Sequence, residues 1–223
     1  MPSKSLTRVR YEIADPADRR FTVRRLERAE RNVARAIQGL FRDTYARQFE
    51  GEDGILPAGH VGQFYNPNSP LKNAAQLKQM QLQMGQGSQY WFSRDPSRTN
   101  ELLGLAKITV DTEGNAVLDD LLVHPLHQGR SYGRVLAHAA LKFSGAASSL
   151  RIDGYVDEPA MGGWYKGQLG LLPLHDQIDP VGLKLGDYNL PQMPYTLPEN
   201  ETIDDVLQRM EARDPRLTST VVA

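Results

Sequence analysis

Apolar positions along the chain switch between two periods. From Glu27 to Phe49, the residues Val33, Ile37, Leu40, Phe41, Tyr45 and Phe49 recur three or four apart, which predicts a helix stopped by Gly51. Just before it, Phe21–Leu26 alternates and predicts a strand, and "RVRYEI" reads as an edge strand in an otherwise polar extension over residues 1–20. A second helix is predicted from Ser69, a capping residue, with Pro70 at the first helical position. Its apolar face is Leu71, Ala74, Leu77, Met80 and Met84, its glutamines make a wet face, and Gly85 ends it. The Gly-, Pro- and Asn-rich stretch 51–69 between the helices reads as a long loop, a surface excursion or part of a binding rim.

Three strands are predicted next, over 88–93, 101–110 and 115–123. "DPSRTN" and "DTEGN" separate them with turn chemistry, so an antiparallel meander is expected. Tyr132, Val135, Leu136, Ala139, Ala140 and Phe143 then line one face of a further helix, and "SLRIDGYV" (149–156) follows as a strand. A helix lies between this strand and 115–123, so the two are expected to be parallel neighbours. Residues 158–197 are rich in Gly and Pro, with a short helix in "GGWYKGQLGL" and a closing strand at "MPYTL". Thr202 caps a last helix carrying Ile203, Val206, Leu207 and Met210, Asp205 completes an imperfect capping box, and a polar tail ends the chain.

Composition narrows the chemistry. The 223 residues carry a formal net charge of -1, which gives no support for nucleic-acid binding. The first fifty residues hold twelve Lys or Arg against seven Asp or Glu, read as a solvated, salt-bridged face with Glu27 beside Arg31 as one example. There is no cysteine, which excludes thiolate nucleophiles, disulfides and Cys-ligated zinc, and the five histidines form no HExxH motif, so no metal is expected. No apolar run approaches a membrane span and "MPSKSLTRVR" lacks the apolar core of a signal peptide, so a cytoplasmic protein with no membrane partner is expected.

The junction "HQGRSYG" between strand 115–123 and the following helix is the most informative stretch. A helix start presents unpaired N–H groups and the positive end of its dipole, a ready site for an anion. Gly129 and Gly133 allow a tight turn or a close approach, Arg130 adds charge, and Ser131 can cap the helix or donate. Neither the triphosphate loop GxxxxGK[ST] nor GxGxxG is present.

"LLVHPLHQGRSYGRVL" resembles the acetyl-coenzyme-A signature of the GNAT superfamily of N-acetyltransferases, with Gln128 in its first position, Ser131 where the middle glycine usually lies and Gly133 in the last. The order of elements resembles the GNAT plan over about Phe21 to Leu171. The resemblance implies an α/β (α+β) fold: a mixed, mostly antiparallel central sheet flanked by helices, with a splayed acetyl-CoA cleft. It places the catalytic domain at 21–197, with 1–20 as an N-terminal extension and 198–223 as a C-terminal helix and tail. It also implies that backbone from Gln128 through Gly129, Arg130, Ser131 and Tyr132 to Gly133 holds the pyrophosphate. Leu122 and Val123 would pair with the pantetheine arm, and the Val123 N–H would stabilise an oxyanion. "EPAMGGWYKGQLGL" is similar to the family's second motif, aligning Tyr165 with the tyrosine that assists thiolate departure; Glu158 and Met161 depart from that motif, and one extra residue separates Tyr165 from Gly170.

Fewer than about one in a thousand alkyl amines is neutral at pH 7, so a group must accept a proton. Asp119 and Asp120 are adjacent on a strand, which points them to opposite faces and lets one look into a cleft; Asp119 is the first candidate and Asp120 the reserve. Asp157 and Glu158 lie where a cationic substrate could approach, and His124 is read as fixing the turn. The resemblance thus implies transfer of an acetyl group from acetyl-CoA to a primary amine, on a small molecule or peptide, by direct attack. The alternatives are a longer acyl-CoA donor, suggested by 51–69 and 158–197, or an inactive binding domain. A homodimer is compatible with the sequence.

Overall fold

The computed structural model describes residues 8–11, 21–52, 54–94, 101–156, 159–218 and 220–222. Strands β1 (Arg8–Tyr11) and β2 (Phe21–Arg25) lead into helix α1 (Arg31–Phe49). A one-turn helix α2 (Val61–Phe64) interrupts the predicted loop, because the Glu50 carboxylate accepts the N–H groups of Gly59 at 2.9 Å and Val61 at 2.5 Å. Helix α3 (Pro70–Gly85) starts where Ser69 Oγ accepts the Lys72 N–H, with proline at its first position.

The meander is β3 (Ser88–Arg94), β4 (Leu102–Val110) and β5 (Ala116–Val123), antiparallel throughout. Helix α4 (Tyr132–Phe143) returns the chain to β6 (Leu150–Tyr155), which pairs parallel to β5 as expected of a strand reached through a helix. Helix α5 (Pro159–Trp164), the short β7 (Leu172–Pro173), the hairpin β8 (Asp179–Leu185) and β9 (Tyr188–Thr196), and helix α6 (Ile203–Arg213) follow. The polar tail contributes β10 (Thr220–Val222), which pairs with β1.

One ten-stranded sheet results, in the order β10-β1-β2-β3-β4-β5-β6-β9-β7, with β8 on β9. Val33, Ile37 and Leu40 of α1 and Met80 of α3 bury against Leu105 and Leu122 on one face. Val135 and Leu136 of α4 and Val206 of α6 bury against Ile108, Leu118 and Ile152 on the other. Each such side chain contributes about 1.5–3 kcal/mol, so the sheet is clamped from both sides.

Two expectations about the helices need correction. On α3, Leu71 is 84% exposed, whereas Met80 is buried with Leu77 and Met84 packed beside it, and Gln76 joins this inner face, its side chain accepting a 2.9 Å bond from buried Gln38. The glutamines of α3 therefore do not form a simple wet face: a paired polar group is as compatible with burial as a leucine. On α1, the Glu27–Arg31 pair is not formed; Arg42 pairs instead with its neighbour Asp43 at 2.6 Å.

Candidate functional site

The parallel ladder between β5 and β6 is only two residues long, Ala116 with Leu150 and Val117 with Arg151. Beyond it the strands diverge: β5 stays with β4 as far as Val123, while β6 pairs with β9 through Tyr155. Among the described residues the β6-facing edge of Leu118–Val123 is thus left without a strand partner, and its polar groups need one. Gln128 reaches back over this edge and donates from Nε2 to the Val123 carbonyl at 3.1 Å.

The fork opens onto the turn that starts α4. His124 Nδ1 accepts the Leu126 N–H at 3.3 Å and so holds the strand end in place, as expected of a turn-fixing histidine, and its Nε2 lies 3.6 Å from Asp43 Oδ2. Gly129 is left-handed, with φ 76°. Ser131 is too, with φ 66° and ψ 3°, and it is the only non-glycine residue with positive φ among the described residues. A left-handed serine costs about 1 kcal/mol, so the turn is held in the shape that a glycine would take freely. The Ser131 side chain makes no capping bond, contrary to one expectation for it; what it contributes is backbone shape. The Tyr132 side chain is buried, stacked on Phe21 at 4.7 Å and 6.2 Å from the His127 ring, so it anchors the junction to the core. Gly133 lies against Val123, where an added Cβ would sit 3.5 Å from Val123 Cγ2.

On the far wall, Tyr165 is buried at the start of a single π-helical turn, Tyr165–Leu169, that continues α5. The turn absorbs the extra residue between Tyr165 and Gly170: the Gly170 N–H bonds to Lys166 O at 3.1 Å and the Leu171 N–H to Tyr165 O at 3.3 Å. The Tyr165 ring packs 5.2 Å from that of Tyr195, and both lie against Gly154 of β6, where a Cβ would come within 2.9 Å of each ring.

On the α1 side of the sheet, a cavity of about 280 Å³ has Asp119 and Asp120 in its lining. Alternation along β5 predicts opposite faces for the two carboxylates, and the structure corrects this. A bulge intervenes, with Lys107 opposite Asp120 and Ile108 opposite Leu118, so Asp119 is an unmatched extra residue and both side chains reach one cavity. Asp119 accepts a 2.7 Å bond from Thr109 and pairs with Lys107 at 3.5 Å. Asp120 has no hydrogen-bond or ion-pair partner among the described residues. Burial pushes its carboxyl up to about 6; Lys107 opposes that shift and Asp119 adds to it. This ordering reverses the preference for Asp119 over Asp120. Asp157 and Glu158 lie outside the described residues.

The remaining walls were read from the sequence as core, strand, loop or wet helix face. Phe41 and Tyr45 of α1, Tyr65, and Tyr155 of β6 supply rings, with the Tyr155 hydroxyl donating to that of Tyr45 at 3.0 Å. Gln79 and Gln83 come from α3 and Gln192 from β9. Burial and the nearby Asp120 raise the Tyr65 hydroxyl to about 12, and burial raises Tyr45 and Tyr155 well above the ordinary tyrosine value, so all three stay neutral at physiological pH. His60 Nε2 lies 3.0 Å from Leu185 O, fastening the 51–69 segment to the β8–β9 hairpin beside the cavity. A larger open groove of about 1270 Å³ between the start of α1 and α3 lies away from the fork and the carboxylates.

Among the described residues no group of three metal-ligating side chains could hold a metal ion, and no helix is long and apolar enough to cross a membrane. Residues 60–166 match the model of the acetyltransferase (GNAT) family. Spermidine N-acetyltransferase from Vibrio cholerae, solved in complex with CoA and spermine, is 15% identical, with 84% of this chain and 98% of that one covered at a TM-score of 0.55. The protein yncA from Salmonella typhimurium, solved with its cofactor acetyl-CoA, is 16% identical, covering 81% and 95% at a TM-score of 0.54. A search of curated proteins gave no match.

Proposed function

Because this is a GNAT-fold chain whose residues 60–166 carry an acetyltransferase domain of that family, we propose that it transfers an acetyl group from acetyl-CoA to a primary amine. The observation that carries the reading is the fork itself. One edge of β5 lacks a strand partner, it ends in a turn with two left-handed residues, and a carboxylate-bearing cavity lies on the same strand. These features fit acetyl-CoA: the unpaired edge at Leu122 and Val123 suits the amides of a pantetheine arm, and the backbone of Gln128–Gly133 at a helix start suits a diphosphate. Arg130, exposed beside them, is the added phosphate contact.

When bound, acetyl-CoA supplies the thioester that an amine can attack. Asp120, poised near neutrality and unpaired, accepts the proton that the ammonium must lose, directly or through water. Asp119, held by Lys107 and Thr109, adds negative potential that draws the cation in. Tyr165, on the opposite wall of the fork, holds a proton at its hydroxyl for the departing sulfur. The solved neighbour bound to CoA and spermine supports an amine acceptor.

Calorimetric titration of acetyl-CoA followed by thiol-release assays over an amine panel tests the reading. Binding of acetyl-CoA with thiol release dependent on an amine is expected. Binding without release from any amine would replace it with a ligand-binding role, and preference for a longer thioester would replace the donor.

A further inference from the structure

We infer that the acceptor carries a single positive charge on a small, neutral, hydrogen-bonding body, and that polyamines are poor substrates. The inference rests on the acetyl-transfer reading and adds to it the class of amine. Among the described residues the lining holds two carboxylates and one ammonium, Asp119, Asp120 and Lys107, which leaves one negative charge when all are ionised. Asp119 is already paired with Lys107 and bonded by Thr109, so among the described residues Asp120 is the one carboxylate of the cavity free to meet an incoming cation. A first ammonium compensates it. A second, farther along the same molecule, would meet Gln79, Gln192 and Leu183, none of them charged, and would approach Lys107 with like sign. In that half-buried wall a second ammonium gives up part of its hydration with no ion pair in return.

The aromatic walls do not supply the missing counter-charge. A cation is held over an open ring face. Here Phe41 and Tyr65 stack on each other at 5.1 Å, and the edge-on contacts of Tyr45 with Tyr65 and with Tyr155 take up much of the rest. Glutamine amides instead offer both donors and acceptors, which suits a hydroxyl or amide. The volume of about 280 Å³ lies just below the usual range for ligand sites, roughly 300–1,000 Å³.

The test compares aminopentanol, cadaverine and spermidine as acceptors for the full chain with acetyl-CoA, reading thiol release. The first two have the same length and differ at one end, hydroxyl against ammonium. Expected is a kcat/KM for aminopentanol about tenfold or more above those of cadaverine and spermidine. Equal or better turnover of either polycation overturns the inference and leaves acetyl transfer standing. No release from any amine, with acetyl-CoA bound, overturns both. Gln79→Glu places a second carboxylate in the wall at little cost to an exposed helix. It should narrow the ratio of aminopentanol to cadaverine by about tenfold; an unchanged ratio also overturns the inference.

Discussion

Lys107 stands opposite Asp120 in the β4–β5 register, yet its ammonium pairs with Asp119 at 3.5 Å. The bulge produces this mismatch. By inserting Asp119 as an extra residue, it gives the lysine a nearer partner and strips Asp120 of one. The result is two adjacent carboxylates with divided duties, one anchored and one available, set apart by environment rather than by residue type.

If Asp120 is the proton acceptor, kcat/KM should rise with pH through about 6, as its carboxyl ionises. Asp120→Asn should lower kcat/KM by about 10²- to 10⁴-fold and remove that limb of the profile. Asp119→Asn should leave the limb in place and mainly raise the acceptor KM. Steady-state rates across pH for both variants decide it; a limb near 6 that survives in Asp120→Asn assigns the titration to another group.

The same carboxylate should cost stability when ionised. Its value rises from 3.8 in the unfolded chain to about 6 in the fold, so between those values the folded state binds more protons. Stability therefore falls as pH rises through this window, and the cost is fully present above about 6. Asp120→Asn should raise Tm by a few degrees at neutral pH, an effect on the order of 1–3 kcal/mol. The gain should fade as pH falls toward about 4. Thermal scans at both pH values measure it.

Ser131 offers a separate test of the turn. Ser131→Gly should bind acetyl-CoA as the parent does, because its backbone conformation, φ 66°, is one that glycine takes without strain. Ser131→Val should weaken binding by about tenfold, since a β-branched residue resists that conformation and would open the turn. Calorimetry reads the affinities, and circular dichroism shows whether the valine variant keeps its fold. Equal affinity in both variants would remove the turn from the cofactor site.

Much of this was legible in the chain because it rests on local signals. Ser69-Pro70 marks the start of α3, turn residues separate the three meander strands, and "HQGRSYG" marks the junction. The cavity was not legible, for reasons particular to its residues. A bulge is one residue of register, and nothing in "VLDDLLV" distinguishes it from regular alternation. Phe41 and Tyr45 have the spacing of a core face, and half of their role is to be core. The β8–β9 hairpin carries prolines at 180, 191 and 194 and a glycine at 182, which break the alternation that announces a strand. The extra residue before Gly170 was visible as a departure from the motif, but its consequence, a π turn, depends on how Tyr165 packs.

That packing separates the chemistry of Tyr165 from its structural work. The ring is fixed by Tyr195 and by the bare backbone at Gly154, contacts that a phenylalanine ring would keep. Tyr165→Phe should therefore keep the ring packing and leave acetyl-CoA affinity unchanged, while kcat falls by about 10²-fold through loss of the acid. The loss should be smaller for a thioester whose thiol is more acidic, because such a sulfur needs less help in leaving. Gly154→Ala should instead lower both Tm and kcat, since its Cβ would meet both rings at 2.9 Å and one must move. Parallel measurement of Tm, affinity and kcat distinguishes the two variants, and a phenylalanine variant that retains its kcat would reduce Tyr165 to a packing residue.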